Sequence, residues 1–127
     1  MRKKFIQFAI YMALAGGVTS AQGEVDSDFM TTMDDLNKSL TSNISIKDAK
    51  AATADAKEME RMFNEVEAFF LKKADAADGV KWSQESRDLS GAIAKSVAAS
   101  DFDTASQTAV TLSKTCKACH KIYKKKD

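Results

Sequence analysis

From residue 27 onward, apolar residues recur at steps of three and four, the repeat of one helix face. Phe29, Met33, Leu36 and Leu40 predict a first helix over 27–42, with Met30 and Asn37 flanking the stripe and Asp26 or Ser27 as its N-cap. Residues 43–45 read as a break. Ala52, Ala56, Met59, Phe63, Val66 and Phe70 continue the same alternation and predict a second helix over 46–76, widened by Met62 and Phe69. Ser45 and Asp48 read as a capping box with Asp in place of Glu, and Asp78-Gly79 reads as the turn that ends the helix. Leu89, Ile93 and Val97, in line with Trp82 and Ser86, predict a third helix over 82–99. After a short link and cap at Ser100-Asp101, Phe102, Ala105, Ala109, Leu112, Cys116, Cys119 and Tyr123 predict a fourth over 102–125. Four amphipathic helices on short links define an all-α chain folded as an antiparallel up-down-up-down four-helix bundle.

The first 21 residues have a different pattern. Arg2, Lys3 and Lys4 precede a mostly apolar run over 5–18, and Thr19-Ser20-Ala21 ends in a small residue. That is the layout of a secretory signal peptide with cleavage after Ala21, and the run is short for a membrane span. The expected organisation is a signal segment over 1–21 and one helical domain over 22–127. Residues 22–127 then make an exported, periplasmic protein with no membrane attachment.

Composition narrows the function classes. All 18 acids and 16 of the 19 Lys and Arg lie beyond residue 21, for a formal charge of −2. A general nucleic-acid binder carries a basic excess, so that class is set aside. The one basic cluster, Lys121 with Lys124-Lys125-Lys126, suits the negative end of a helix dipole or docks an acidic redox partner. Proline is absent, so nothing in the chain interrupts helices. Asp34-Asp35 and the acids between Glu58 and Glu67 sit among opposite charges at helical spacing and read as exposed faces.

The chemistry is concentrated in Cys116-Lys117-Ala118-Cys119-His120, a C-x-x-C-H sequence, the attachment signature of a c-type haem. Two thiols three residues apart share one helix face and can both add to one porphyrin, and the adjoining imidazole is placed to ligate the iron. These are the only cysteines and the only histidine in the chain. The rival uses of C-x-x-C fit less well: a thioredoxin-like motif opens a helix after a strand, and a structural zinc site needs four ligands. The cofactor expected is one haem c per chain, covalent through Cys116 and Cys119, with His120 on the iron. Attachment of c-type haem on the outer side of the bacterial inner membrane agrees with export. A haem-free helical binding protein is the reading if the motif is accidental.

Antiparallel order gathers the end of the fourth helix, the start of the first, the end of the second and the start of the third. Phe29, Met30, Met33, Val66, Phe69, Phe70 and Trp82 are therefore expected around the porphyrin, and Tyr123 beside it, whereas Met59 and Met62, halfway along the second helix, read as core.

The layout and the closing segment, Lys114 to Lys124 with its aromatic and basic residues after the motif, are similar to the class II c-type cytochromes, cytochrome c′ and its low-spin relatives. Trp82 and the alanine-rich approach to the motif add to the resemblance. It covers the layout of residues 22–127, and its residue detail begins at about Trp82. Met30-Thr31-Thr32-Met33 falls where the family places a Met-x-x-Met or Leu-x-x-Met pair over the other haem face, so the resemblance implies Met30 over the iron and Met33 packed beside it. The chain departs from the family pattern at Asp26, where many members carry a basic residue near a propionate.

Two functions follow from the distal side. With Met30 on the iron opposite His120, the haem is six-coordinate and the protein is an electron carrier for redox partner proteins. With Met30 only packed above the ring, a five-coordinate haem binds NO or CO at an apolar site. A catalytic role is not expected, since no second histidine or distal arginine is available for peroxide chemistry. The resemblance also implies a homodimer through the first two helices, which any exposed remainder of Phe63, Phe69 or Met62 would serve.

Overall fold

The structure, a computed structural model, describes residues 25–123, with side chains through Lys121. The expected signal segment over 1–21 and the basic tail at 124–126 lie outside the described residues. Four helices and no strand occur among the described residues: α1 (Ser27–Ser45), α2 (Ala49–Leu71), α3 (Ala77–Ala98) and α4 (Phe102–Tyr123).

Three of the four helices begin at an aspartate whose carboxylate accepts a backbone N–H three residues on, a partner the first turn otherwise lacks. The bonds are Phe29 N–H to Asp26 at 2.9 Å, Ala51 N–H to Asp48 at 3.0 Å and Thr104 N–H to Asp101 at 3.0 Å. The bond from Thr104 holds the Asp101 carboxyl below its usual range. Helix α3 starts without a side-chain cap, at Ala76. Each link holds one residue in the left-handed region, Lys47 (φ 58°), Asp75 (φ 60°) and Ser100 (φ 60°), which turns the chain sharply enough for its flanking helices to pack.

The boundaries differ from the periodicity at two places. Helix α1 runs on to Ser45, and Asp48 caps α2 directly, so no capping box forms with Ser45. Helix α2 stops at Leu71, and α3 begins at Ala77, five residues before Trp82. Asp78 and Gly79 thus lie in the first turn of α3 rather than in a turn between helices. Gly79 answers to packing: a Cβ there would stand 2.6 Å from the Phe70 ring.

Helix α1 packs on α2 and α4, and α3 packs on α2 and α4, closing a four-membered ring consistent with a four-helix bundle. Leu40, Met59, Ile93 and Leu112, one from each helix, are fully buried along its axis. Each such side chain contributes about 2 kcal/mol by leaving water. Ala52, Ala56, Ala105 and Ala109 face the same core and let the helices approach closely. Polar contacts fix the register between neighbours. Asp55 of α2 accepts from Ser39 and Asn43 of α1 at 2.7 and 2.8 Å. Glu67 of α2 accepts from Gln84 and Arg87 of α3 at 2.7 and 2.6 Å. Met62 and Phe63 are buried within this packing, which corrects the idea that they offer apolar surface to a second copy; Phe69 is only partly buried.

Candidate functional site

The N-terminal half of α1, the C-terminal half of α2, the start of α3 and the end of α4 enclose a pocket at one end of the bundle, about 550 Å³ counting its open mouth. Its position confirms the antiparallel order, since the lining residues run 30–37, 59–66, 82–86 and 116–120 on the four helices in turn.

Helix α4 brings Cys116 and Cys119 to the wall, both half-buried and both free thiols, and places His120 at the exposed mouth. Their one-face arrangement follows from the three-residue step within an unbroken helix. Burial pushes the Cys116 thiol up to about 11, aided by the neighbouring Cys119 and Asp34. Burial raises the Cys119 thiol as well. Both sulfurs are therefore protonated at neutral pH and weak as thiolate nucleophiles. Helix α1 supplies Met30, Met33, Asp34 and Asn37. Met33 is buried, Met30 is half-buried, and Asp34 lies at the exposed edge in an ion pair with Lys38 at 2.9 Å.

Helix α3 adds Trp82, Ser83 and Ser86. The Ser83 hydroxyl donates to the Gly79 carbonyl at 2.6 Å, so a buried hydroxyl is satisfied inside its own helix. Helix α2 adds Met59, Phe63 and Val66. The structure thus brings Cys116, Cys119, His120, Met30, Met33 and Trp82 together, along with Val66.

Three other residues expected around the cofactor lie elsewhere. Phe29 and Phe69 are partly buried against the core and do not line the pocket, and Phe70 is buried with its ring against Gly79. Tyr123 closes α4, and its side chain lies outside the described ones.

Met59 departs from its reading as core remote from the site. It is buried and also lines the pocket, because the pocket reaches from the bundle end to the helix middles. Phe63, Ser83, Ser86, Asp34 and Asn37 were likewise not among the expected site residues. The first three carried a signal, since 59, 63 and 66 and 83 and 86 continue stripes that the antiparallel register brings level with Met30 and Cys116. No such signal marks Asn37.

The donors in the pocket are thioethers, thiols and one imidazole, with few charged groups. Among the described residues no group of three or more His, Cys, Asp and Glu is arranged to hold a metal ion. The pair of thiols on one wall, a neighbouring imidazole, an otherwise apolar lining and the space between four helices fit a covalently held porphyrin. Cys116 and Cys119 would hold it, and His120, Met30, Met33 or Met59 carry atoms able to ligate its iron. Among the described residues no helix is long and apolar enough to cross a membrane. No family model, curated protein or solved structure matches the chain.

Proposed function

We propose that this chain is an exported electron-transfer protein carrying one haem c, joined through Cys116 and Cys119, with His120 as proximal ligand and Met30 as distal ligand. One observation carries the reading: both thiols, the sole histidine and Met30 line a single apolar pocket at one end of a four-helix bundle. The motif supplies the attachment chemistry, and the pocket supplies an apolar lining beside it.

Bound haem would supply a one-electron couple between ferric and ferrous iron. The chain's own residues then have separable tasks. Cys116 and Cys119 fix the ring against α4, so its position does not depend on a binding equilibrium. His120, exposed at the mouth on α4, would ligate the iron, and a partner would approach from that side. Met30 of α1 would supply a thioether to the iron, and methionine with histidine ligation raises the reduction potential. Trp82, Phe63 and Val66 exclude water from the rest of the pocket, which lowers the local dielectric and strengthens every charge effect within it.

The test is the visible spectrum of protein made in cells competent to attach haem, oxidised and reduced, with and without CO. Haem that survives a denaturing gel establishes the thioether bonds. A low-spin spectrum with a methionine-iron charge-transfer band, unmoved by CO and lost in Met30→Ala, supports the electron carrier. A high-spin spectrum that moves on adding CO assigns the pocket to an open gas-binding haem instead. A chain that emerges colourless from those cells removes both.

A further inference from the structure

The buried stripe of α1 contains Met33, Leu40 and Ile44, and Asn37 occupies the place between Met33 and Leu40 on that side of the helix. An amide there is at odds with its neighbours. Asn37 lines the pocket together with Met33 and Met59. Its Nδ2 donates to Ser113 Oγ of α4 at 3.1 Å, which fixes the side chain across the α1 and α4 seam. Its Oδ1 is shut off from solvent and has no hydrogen-bond partner, the one buried side-chain polar atom so placed among the described residues. A carbonyl left in this condition is a standing penalty that an apolar residue of the same size would remove. Buried polar groups without a partner in the chain are commonly matched by something bound.

We infer that the Asn37 amide is the polar contact for what the pocket holds: Oδ1 accepts a hydrogen bond from an O–H group that enters with the cofactor, and so sets the cofactor's reduction potential. The inference rests on the reading that the pocket holds haem. The O–H has two sources of the same chemistry, a water trapped beside the ring or a carboxylic acid group of the haem itself. Ser113 is a positioning residue, since its hydroxyl holds the amide in the orientation that leaves Oδ1 free.

The direction of the effect follows from charge. Oxidation adds a positive charge at the iron, and in a pocket of low dielectric the negative end of a carbonyl dipole stabilises that form. Removing the carbonyl disfavours the oxidised state, so the midpoint potential rises. Asn37→Leu keeps the number and branching of the side-chain heavy atoms and removes both amide atoms. Ser113→Ala leaves the amide and removes its anchor.

The experiment is a redox titration of holoprotein for the natural chain, Asn37→Leu and Ser113→Ala, each with its thermal unfolding midpoint. The expected result is a potential shifted upward in Asn37→Leu and, by less, in Ser113→Ala. An unchanged or lowered potential in both, with a higher unfolding midpoint in Asn37→Leu, overturns the inference and makes the orphan carbonyl a packing defect. Should Asn37→Leu fail to take up haem, Ser113→Ala carries the measurement alone. A crystal structure of the holoprotein separates the sources: density for water on Oδ1, or for a haem acid group, supports the inference, and carbon alone around Oδ1 overturns it. A natural chain without haem shows itself before any variant is made and removes the underlying reading, whereas haem with silent variants removes only the role of Asn37.

Discussion

Cys116 is a thiol whose surroundings oppose its ionisation, and in the haem-free chain that has a measurable consequence. Its folded pKa is about 11, against about 8.5 for an unperturbed cysteine. The raised value favours the protonated form, so the linked stability is fully present below about pH 8.5 and is lost as pH rises toward 11. Alkylation of native, haem-free protein should therefore lag behind that of the denatured chain between those pH values, and denaturant midpoints should fall across the same window. Equal alkylation profiles for the two states remove the burial argument. Gly79 offers a second test on a single residue. Alanine gains up to about 1 kcal/mol of helix propensity, but its Cβ meets the Phe70 ring at 2.6 Å. Overpacking at about 1–3 kcal/mol outweighs the gain, so Gly79→Ala should lower stability by about 1–2 kcal/mol in urea unfolding. The residues brought to the pocket were legible to the extent that chemistry announces itself. Cys116, Cys119 and His120 form a motif, and Met30 and Trp82 follow from helix order. Asn37 was not legible, because an isolated amide beside an apolar stripe looks like any flanking polar residue until its missing partner is seen.

At the level of helices and links, the apolar repeat located each helix but not each end. The repeat continues through any residue that happens to be apolar, so it predicts α2 as far as 76, whereas the chain stops it at Leu71 and turns through Asp75 in the left-handed region. Aspartates marked the true starts where they cap, at Asp26, Asp48 and Asp101. The start of α3 carries no side-chain cap, so no residue type marks it and the pattern points to Trp82, five residues late. The links yield a prediction. Ser100 sits at φ 60°, a conformation that carries a Cβ penalty glycine avoids. Set against the extra freedom glycine has in the unfolded chain, Ser100→Gly should stabilise the protein by about 0.5 kcal/mol, read as a higher unfolding midpoint. Between α2 and α3, Glu67 is 16% exposed and is held by Arg87 and Gln84. Removing Arg87 leaves a largely enclosed carboxylate with one amide donor. Arg87→Ala should therefore cost about 1–2 kcal/mol, between the small worth of surface pairs and the larger loss when a buried pair is broken. The exposed Lys38 pair with Asp34 should give no comparable effect when Lys38 is replaced.

For the whole molecule, the pocket divides the bundle into two unequal parts. Around Leu40, Ile93 and Leu112 the four helices meet in close apolar contact. Toward Cys116 and Met30 they line an open-mouthed apolar pocket. A small bundle has little apolar contact to spare, so whatever fills the pocket contributes strongly to stability and couples α1 to α4 across the seam where Asn37 meets Ser113. Replacing both attachment cysteines tests this at the right scale. Cys116→Ser with Cys119→Ser keeps side-chain size and removes the thiols, and the close-packed part is untouched. Expressed in cells able to attach haem, the natural chain should be coloured and the double variant colourless. The variant should keep its helical circular dichroism, because its caps and core remain, yet unfold earlier and less cooperatively. Burial of apolar surface by a pocket-filling ring amounts to about 3 kcal/mol or more, which for a domain of this size lowers the midpoint by roughly 10–20 °C. Equal midpoints would mean that the natural chain leaves the pocket unfilled, and the haem reading would fall with it. A lower midpoint in a chain that was never coloured would instead assign the thiols to packing alone. Only the joint loss of colour and of stability ties the motif to the cavity.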